Sequence, residues 1–152
     1  MRTLPLRPQA ARPILSLLDG GSSVAGDVNT AEMVQALQRT MWDEVGPLRT
    51  RDKLSRALTK LDSMMRQMGE LPPSGRRAFD LQRLEWLDLR NMLLVARVVT
   101  LAALRRTESR GAHQREDFPA SSPDWELNQL AYLRGDEVQI GNSLPTVSEA
   151  AR

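Results

Sequence analysis

Apolar residues recur at helical spacing along three stretches of the chain. Val34, Leu37, Met41 and Val45 follow one another at intervals of three and four, which lines one face of a helix. Asn29 ahead of them suits an N-cap, with Glu32 three residues on to reach back to it, so a helix is expected to begin near Asn29. Gly46 and Pro47 end it. Thr50 can cap a second helix with the stripe Leu54, Leu58, Leu61, Met65 and Met68, while Arg51, Arg56, Lys60 and Asp62 lie elsewhere on its surface. Gly69 fits the position just past its end, and Pro72–Pro73 cannot continue a helix.

The third helix is expected over about 78–107, from Ala78 to Thr107. Leu81, Leu84, Trp86, Leu87, Leu94, Val95, Val98, Leu101, Ala102 and Leu104 form its apolar stripe. Over 93–99 apolar residues occur on nearly all sides, which marks a buried helix. Thirty residues of helix would be about 45 Å long. Two shorter helices cannot cover that length, so a further surface is expected to do so. The stretch 109–123 reads as irregular, punctuated by Gly111, Pro119 and Pro123. Beyond it, residues 130–133 and 137–140 flank Arg134, Gly135 and Asp136 as the strands and turn of a short hairpin. The expected fold is all-α: a three-helix bundle with a long third helix, an irregular polar segment and a short C-terminal β-hairpin. Residues 1–28, rich in Pro, Gly and Ser, are expected to form a flexible N-terminal arm, 29–133 the bundle with its polar segment, and 134–152 a tail.

Composition narrows the chemistry. A chain of 152 residues has room for one domain, and 41% hydrophobic with 26% charged residues is ordinary for a globular protein. With no Cys and one His, disulfide scaffolds, iron–sulfur clusters, Cys zinc sites and multi-His metal centres are excluded. No apolar run approaches the roughly 20 residues of a membrane span; the longest, over 92–104, is interrupted by Arg97. The apolar stretch over 14–18 is short and crowded by Pro5, Pro8 and Pro13, unlike a signal peptide, so a cytoplasmic location is expected. The net charge is +2, and Lys53 and Lys60 are the only lysines. So small an excess fits a mixed solvated surface better than a nucleic-acid footprint, and no basic stripe with interleaved aromatics occurs. Gly20, Gly21 and Gly26 fit no dinucleotide or phosphate-loop spacing and follow no expected strand, so they read as linker.

His113 is the one imidazole, and Asp117 four residues on could orient it as a general base. No nucleophile motif places a Ser or Cys beside it, and a structural, hydrogen-bonded histidine is the plainer reading. The pair sits within the densest polar stretch, Arg105-Arg106-Thr107-Glu108-Ser109-Arg110-Gly111-Ala112-His113-Gln114-Arg115-Glu116-Asp117-Phe118-Pro119, directly after the most apolar helix. Arg105 and Arg106 suit the negative end of that helix's dipole. By composition alone the stretch is a solvated helix end and a turn.

Its order of residues resembles the R-x-E-S-R-G-A-H-x-R-E-D-F-P signature of the C-terminal helical domain in fumarate reductase and succinate dehydrogenase flavoproteins and in L-aspartate oxidases. The resemblance extends over about 33–133. Leu37-Gln38-Arg39-Thr40-Met41-Trp42, then Val45-Gly46 and Arg49, is similar to the family's first helix and its turn. Leu54, Ala57, Leu58 and Leu61 match the second helix, and Leu89-Arg90-Asn91-Met92-Leu93-Leu94-Val95-Ala96 the start of the third. Ser122-Pro123-Asp124-Trp125 resembles the acidic-then-Trp step after the signature. Asn128 stands where the dehydrogenases often carry a His, so the resemblance does not separate the dehydrogenase and oxidase branches.

The resemblance implies one domain of a larger enzyme. In the family, FAD and the substrate-binding residues belong to two other domains, for which this chain has no length: a dinucleotide fold takes about 100 residues or more. The expectation is a non-catalytic helical subunit of a split FAD-dependent oxidoreductase. It would hold no catalytic, cofactor-binding or metal residue of its own and would dock on a separate flavin-binding chain that carries FAD. The family's signature segment lies against the flavin-binding part. Glu108, Ser109, Arg110, Gly111, His113, Arg115 and Asp117 are therefore expected to face the partner, Arg110 and Arg115 forking onto its carboxylates or carbonyls. The alternative is a free-standing helical interaction module derived from that domain.

Overall fold

Each of the three helices that pack together starts at a capping side chain. In the computed structural model, which describes residues 9, 11–12, 15–16, 29–73, 80–135 and 137–145, helix α1 spans Thr30–Val45, α2 Arg51–Met68 and α3 Leu81–Arg105. Two short strands, β1 (Leu48–Arg49) and β2 (Gln114–Arg115), and two longer ones, β3 (Asn128–Arg134) and β4 (Glu137–Ser143), accompany them. The Asn29 side chain accepts from the Glu32 N–H, Thr50 from that of Lys53 and Asp80 from that of Arg83. Each cap satisfies one of the donors a first helical turn leaves free. Gly69 closes α2 with φ of 78°, a conformation that strains any side chain.

Helix α3 is shorter than the expected span of 78–107. Asp80 is extended and caps, so the helix starts at Leu81; Arg106 is extended too, so it stops at Arg105. Residues 74–79 lie outside the described ones. The 25 residues of α3 run about 37 Å.

The core lies where the three helices meet. Met33 and Leu37 of α1, Leu61 and Met68 of α2, and Trp86, Leu89, Leu93 and Ala96 of α3 form one buried cluster. Val45, Leu54, Ala57 and Ala103 form a second, nearer the end of α3. Fully burying one large apolar side chain contributes roughly 1.5–3 kcal/mol. Trp86 is the largest of them, and its indole N–H donates to the Met68 carbonyl at 3.2 Å, so no polar atom of the ring is left unmet. Glu44 is also buried, clamped by Arg56 at 2.9 Å and Lys60 at 2.8 Å, which together hold its carboxyl below its ordinary pKa.

Burial of α3 on all sides does not hold. Leu81, Leu84, Met92, Val95 and Val99 stay exposed, Val95 by 61%. Their spacing of three, four or multiples of a turn puts them on one stripe, away from α1 and α2. A hairpin covers another part of the helix. Strand β3 pairs antiparallel with β4, from Arg134↔Glu137 at the turn to Asn128↔Ser143 at the open end. Gly135 takes φ of 63° in that turn. Val138 is buried, and the Arg105 guanidinium donates to the Ile140 carbonyl, fixing β4 to the end of α3. The hairpin is thus longer than expected, and the boundary drawn at 133–134 falls inside it. The arm expected over 1–28 and the residues 146–152 lie outside the described residues, save for 9, 11–12 and 15–16, which are helical and exposed where a flexible arm was expected.

One sheet element has no counterpart in the sequence reading. Strand β1, between α1 and α2, pairs in parallel with β2 of the polar segment, Leu48 opposite Gln114 and Arg49 opposite Arg115. The Gln114 N–H donates to the Pro47 carbonyl at 3.2 Å and that of Glu116 to the Arg49 carbonyl at 2.8 Å. These bonds bring the polar segment from the end of α3 back to the α1–α2 turn.

Candidate functional site

Where α3 stops, its last carbonyls need donors and its dipole favours a cation. Arg115 supplies both from the polar segment. Its Nη1 donates to the carbonyls of Ala103 at 3.0 Å, Leu104 at 3.2 Å and Arg106 at 2.9 Å. Its Nε and Nη2 fork onto Asp117 at 2.7 and 2.8 Å, and the guanidinium lies 4.8 Å from the centre of the Phe118 ring. The side chain is 0% exposed. Asp117 in turn accepts the Arg51 N–H at 2.9 Å, in the first turn of α2, where a negative charge is favoured. The Arg115 fork and that N–H hold the Asp117 carboxyl far below the ordinary carboxylate range. One ion pair therefore joins the C-terminus of α3 to the N-terminus of α2.

Glu108 is the second centre, also 0% exposed. It accepts from Arg110 Nε at 3.0 Å, from the Ser122 N–H at 2.9 Å and from Arg106. The Arg110 guanidinium, aided by Ser122 and Arg106, outweighs burial and lowers the Glu108 carboxyl to about 2. Arg106 extends the network: it donates to the carbonyls of Trp125 and Leu127, both at 2.9 Å, and lies 5.1 Å from the centre of the Trp125 ring. The Trp125 indole donates to the Thr107 hydroxyl at 3.0 Å. Ser109 folds the segment onto itself, its hydroxyl accepting the Arg115 N–H at 2.8 Å and donating to the Phe118 carbonyl at 2.9 Å. Gly111, at φ of 58°, makes the turn that pairs Arg110 with His113.

His113 is half-buried between two elements. Its Nδ1 meets Arg49 Nη1 at 2.5 Å, and its Nε2 lies 3.4 Å from the Arg106 carbonyl. A guanidinium can only donate, so Nδ1 accepts and the ring is neutral with its proton on Nε2. Burial, then the nearby Arg49 cation, push its pKa below the ordinary imidazole value. Arg49 also grips the carbonyls of Val45 at 3.1 Å and Gly46 at 2.8 Å. A cleft of about 390 Å³ opens beside the ring, lined by Arg106, Arg110, His113, Trp125, Glu126, Leu127, Asn128 and Pro145.

The structure brings together all seven residues expected to face a partner, but gives them different roles. Glu108, Ser109 and Arg115 are buried and bonded within the chain, so Arg115 forks onto its own Asp117 and not onto a neighbour. Arg110, Gly111 and part of Asp117 and His113 remain at the surface. His113 and Asp117 are not a catalytic pair: Asp117 is taken by Arg115 and Arg51, His113 by Arg49 and Arg106. Sequence reasoning missed Arg49 and Arg106 as network members. Arg49 stands alone after Gly46–Pro47 and Arg106 ends a helix, positions that carry no signal of their distant partners.

Among the described residues no group of three His, Asp or Glu side chains could hold a metal. Nor do the described residues form a dinucleotide cradle for FAD. A dinucleotide cradle needs a strand, a glycine turn and a helix N-terminus in succession. The strands present are a two-residue parallel pair and a hairpin, and no described glycine stands at a strand-to-helix turn. No helix among the described residues is long and apolar enough to cross a membrane.

The same set of helices and closing loop occurs in known proteins. The family model for the fumarate reductase flavoprotein C-terminus matches residues 34–148. An uncharacterised FAD-dependent oxidoreductase of Methanocaldococcus jannaschii is 39% identical over 119 residues, covering 78% of this chain and 21% of that protein. One component of the CoM/CoB fumarate reductase of Methanothermobacter marburgensis is 40% identical over 116 residues, covering 76% of this chain and 21% of that protein. The solved Sdh1 complex of Mycobacterium smegmatis superposes with a TM-score of 0.76 at 30% identity, over 98% of this chain and 26% of that one. The chain thus spans about a fifth of the length of the curated relatives it matches. The match takes in all three helices, the buried Arg115 and Glu108 centres and the hairpin, and on that evidence the chain belongs to the fumarate reductase and succinate dehydrogenase flavoprotein family, as its C-terminal helical domain.

Proposed function

We propose that this chain is the non-catalytic helical part of a flavin-dependent oxidoreductase of the fumarate reductase, succinate dehydrogenase or L-aspartate oxidase type, docking as a separate subunit on a flavin-binding chain. FAD and the reacting groups would belong to that partner. The observation that carries this reading is the closing loop over 106–118. It carries the signature on which the family resemblance rests, and within it the buried Arg115, through Asp117, joins α3 to α2. A loop built so rigidly is suited to present a fixed surface, and its exposed members Arg110 and Gly111 lie on that surface with part of His113 and Asp117.

Co-expression with a flavin-binding chain of the family tests the proposal. Tagged chain should retain a yellow partner through size-exclusion chromatography, and Arg110→Ala should weaken that retention. A colourless eluate with every flavin-binding chain of the family would overturn it. One observation favours the second reading, a free-standing interaction module: Glu108, Arg115 and Asp117 find their partners within this chain. That module would melt cooperatively alone and stay colourless in the same assay.

A further inference from the structure

We propose that His113 is an acid-sensitive latch: a proton taken up at Nδ1 breaks its bond to Arg49 and frees the closing loop from the turn between α1 and α2. The geometry opposes a proton at Nδ1. Nδ1 is an acceptor facing a guanidinium donor at 2.5 Å, and protonation would set an N–H against an N–H and a cation against a cation. Rotating the ring offers no escape, because Nε2 faces the Arg106 carbonyl and that bond would be lost.

Cations surround the ring. Arg49 faces it from the α1–α2 turn, Arg106 from the end of α3, and Arg115, neutralised by Asp117, from β2. Arg110 lines the same cleft and is paired with Glu108 and, at 3.7 Å, with Glu126. Lys53 and Glu116 pair with each other at 3.2 Å on the outer side of the loop. Among the described residues no carboxylate faces the ring directly to shelter a positive charge. What the latch holds is defined by two backbone bonds beside it, Gln114 N–H to the Pro47 carbonyl and Glu116 N–H to the Arg49 carbonyl. The second runs through the residue whose side chain grips His113. Losing that grip loosens the parallel pairing while the Arg115–Asp117 clamp stays closed.

The sign follows from the neutral closed state. A group whose folded pKa is lowered favours the closed loop above the ordinary imidazole value and loses that contribution as pH falls below it. Between the ordinary value and the depressed one, opening takes up one proton. The protection of the two amides should then fall about tenfold per pH unit.

His113 is the only histidine, so its ring resonances are unambiguous. The test is a pH titration of the full chain by NMR, with amide exchange corrected for its intrinsic pH dependence. His113 should carry its proton on Nε2 and titrate below the ordinary imidazole value. The Gln114 and Glu116 amides should lose protection in step with it, while amides in the middle of α2 keep theirs. In Arg49→Met the imidazole should titrate higher, and the two amides should be unprotected at every pH. Titration at or above the ordinary value, or amides that stay protected once the ring is charged, would overturn the latch. The wild-type titration decides the matter even if the variant fails to fold.

Discussion

Replacing Arg115 with Ala takes away the one side chain that closes the end of α3. The carbonyls of Ala103 and Leu104 lose their side-chain donor, while that of Arg106 keeps only His113 Nε2 at 3.4 Å. A buried acceptor left unmet costs about 1–3 kcal/mol, and water entering the emptied space brings the sum toward the lower end. Breaking a buried ion pair costs roughly 3–5 kcal/mol when the remaining charge is stranded. Asp117 is not stranded, since its side chain is 29% exposed and keeps the Arg51 N–H. The net loss should be about 3 kcal/mol. That corresponds to a fall in Tm on the order of 10 °C for a domain of this size. Urea unfolding of the full chain, followed by circular dichroism, measures it, with an unchanged m-value expected. Arg115→Lys should recover less than half, because a point charge cannot fork onto Asp117 while reaching three carbonyls. Arg110→Ala should lower the midpoint too, because it takes the main partner from the buried Glu108 carboxylate, but by less, since Glu108 keeps the Ser122 N–H and Arg106. If Arg115→Ala unfolds at the wild-type midpoint, the loop is not held from within and the reasoning fails.

Glu108 should give stability an acid limb. Its carboxyl is lowered from 4.5 to about 2 in the folded chain, so its contribution is complete above the unfolded value and is lost as pH falls toward the folded one. The wild-type advantage over Glu108→Gln, read from unfolding midpoints, should shrink across that window; an advantage equal on both sides of it would show that shape and not charge is at work. At Gly46 an added Cβ would lie 2.6 Å from the Trp42 carbonyl, which is helix backbone and cannot swing aside. Gly46→Ala should therefore destabilise by roughly 1–3 kcal/mol, and an unchanged Tm would refute the clash.

The closing loop illustrates how far residue identity can mislead about role. Glu108, Arg115 and Asp117 stand out in the sequence as a charged run, and a charged run after a helix reads as an exposed surface. In the fold, two of the three are wholly buried as side chains. The loop lies over the end of α3 and the start of α2, and both helix ends carry backbone groups that must be met. The charges are the means of meeting them. The parallel pairing of Leu48–Arg49 with Gln114–Arg115 was equally illegible, since two residues carry no periodicity and their partners lie 66 positions away.

The chain's own order of residues determined the three helices, because a cap, a stripe at spacings of three and four, and a glycine stop act within one or two turns. Asn29, Thr50 and Gly69 each do in the fold what their positions announce. It also determined the family, through the run from Arg106 to Pro119. Tertiary structure alone decided which face of α3 is covered, leaving Val95 and Val99 in the open, and where the hairpin ends, at Ser143 and not within a tail. It decided the inward turn of Arg115 and the placing of His113 against Arg49 as well. Those outcomes depend on which unsatisfied carbonyl or guanidinium arrives from a distant segment, and nothing local in the sequence encodes that meeting.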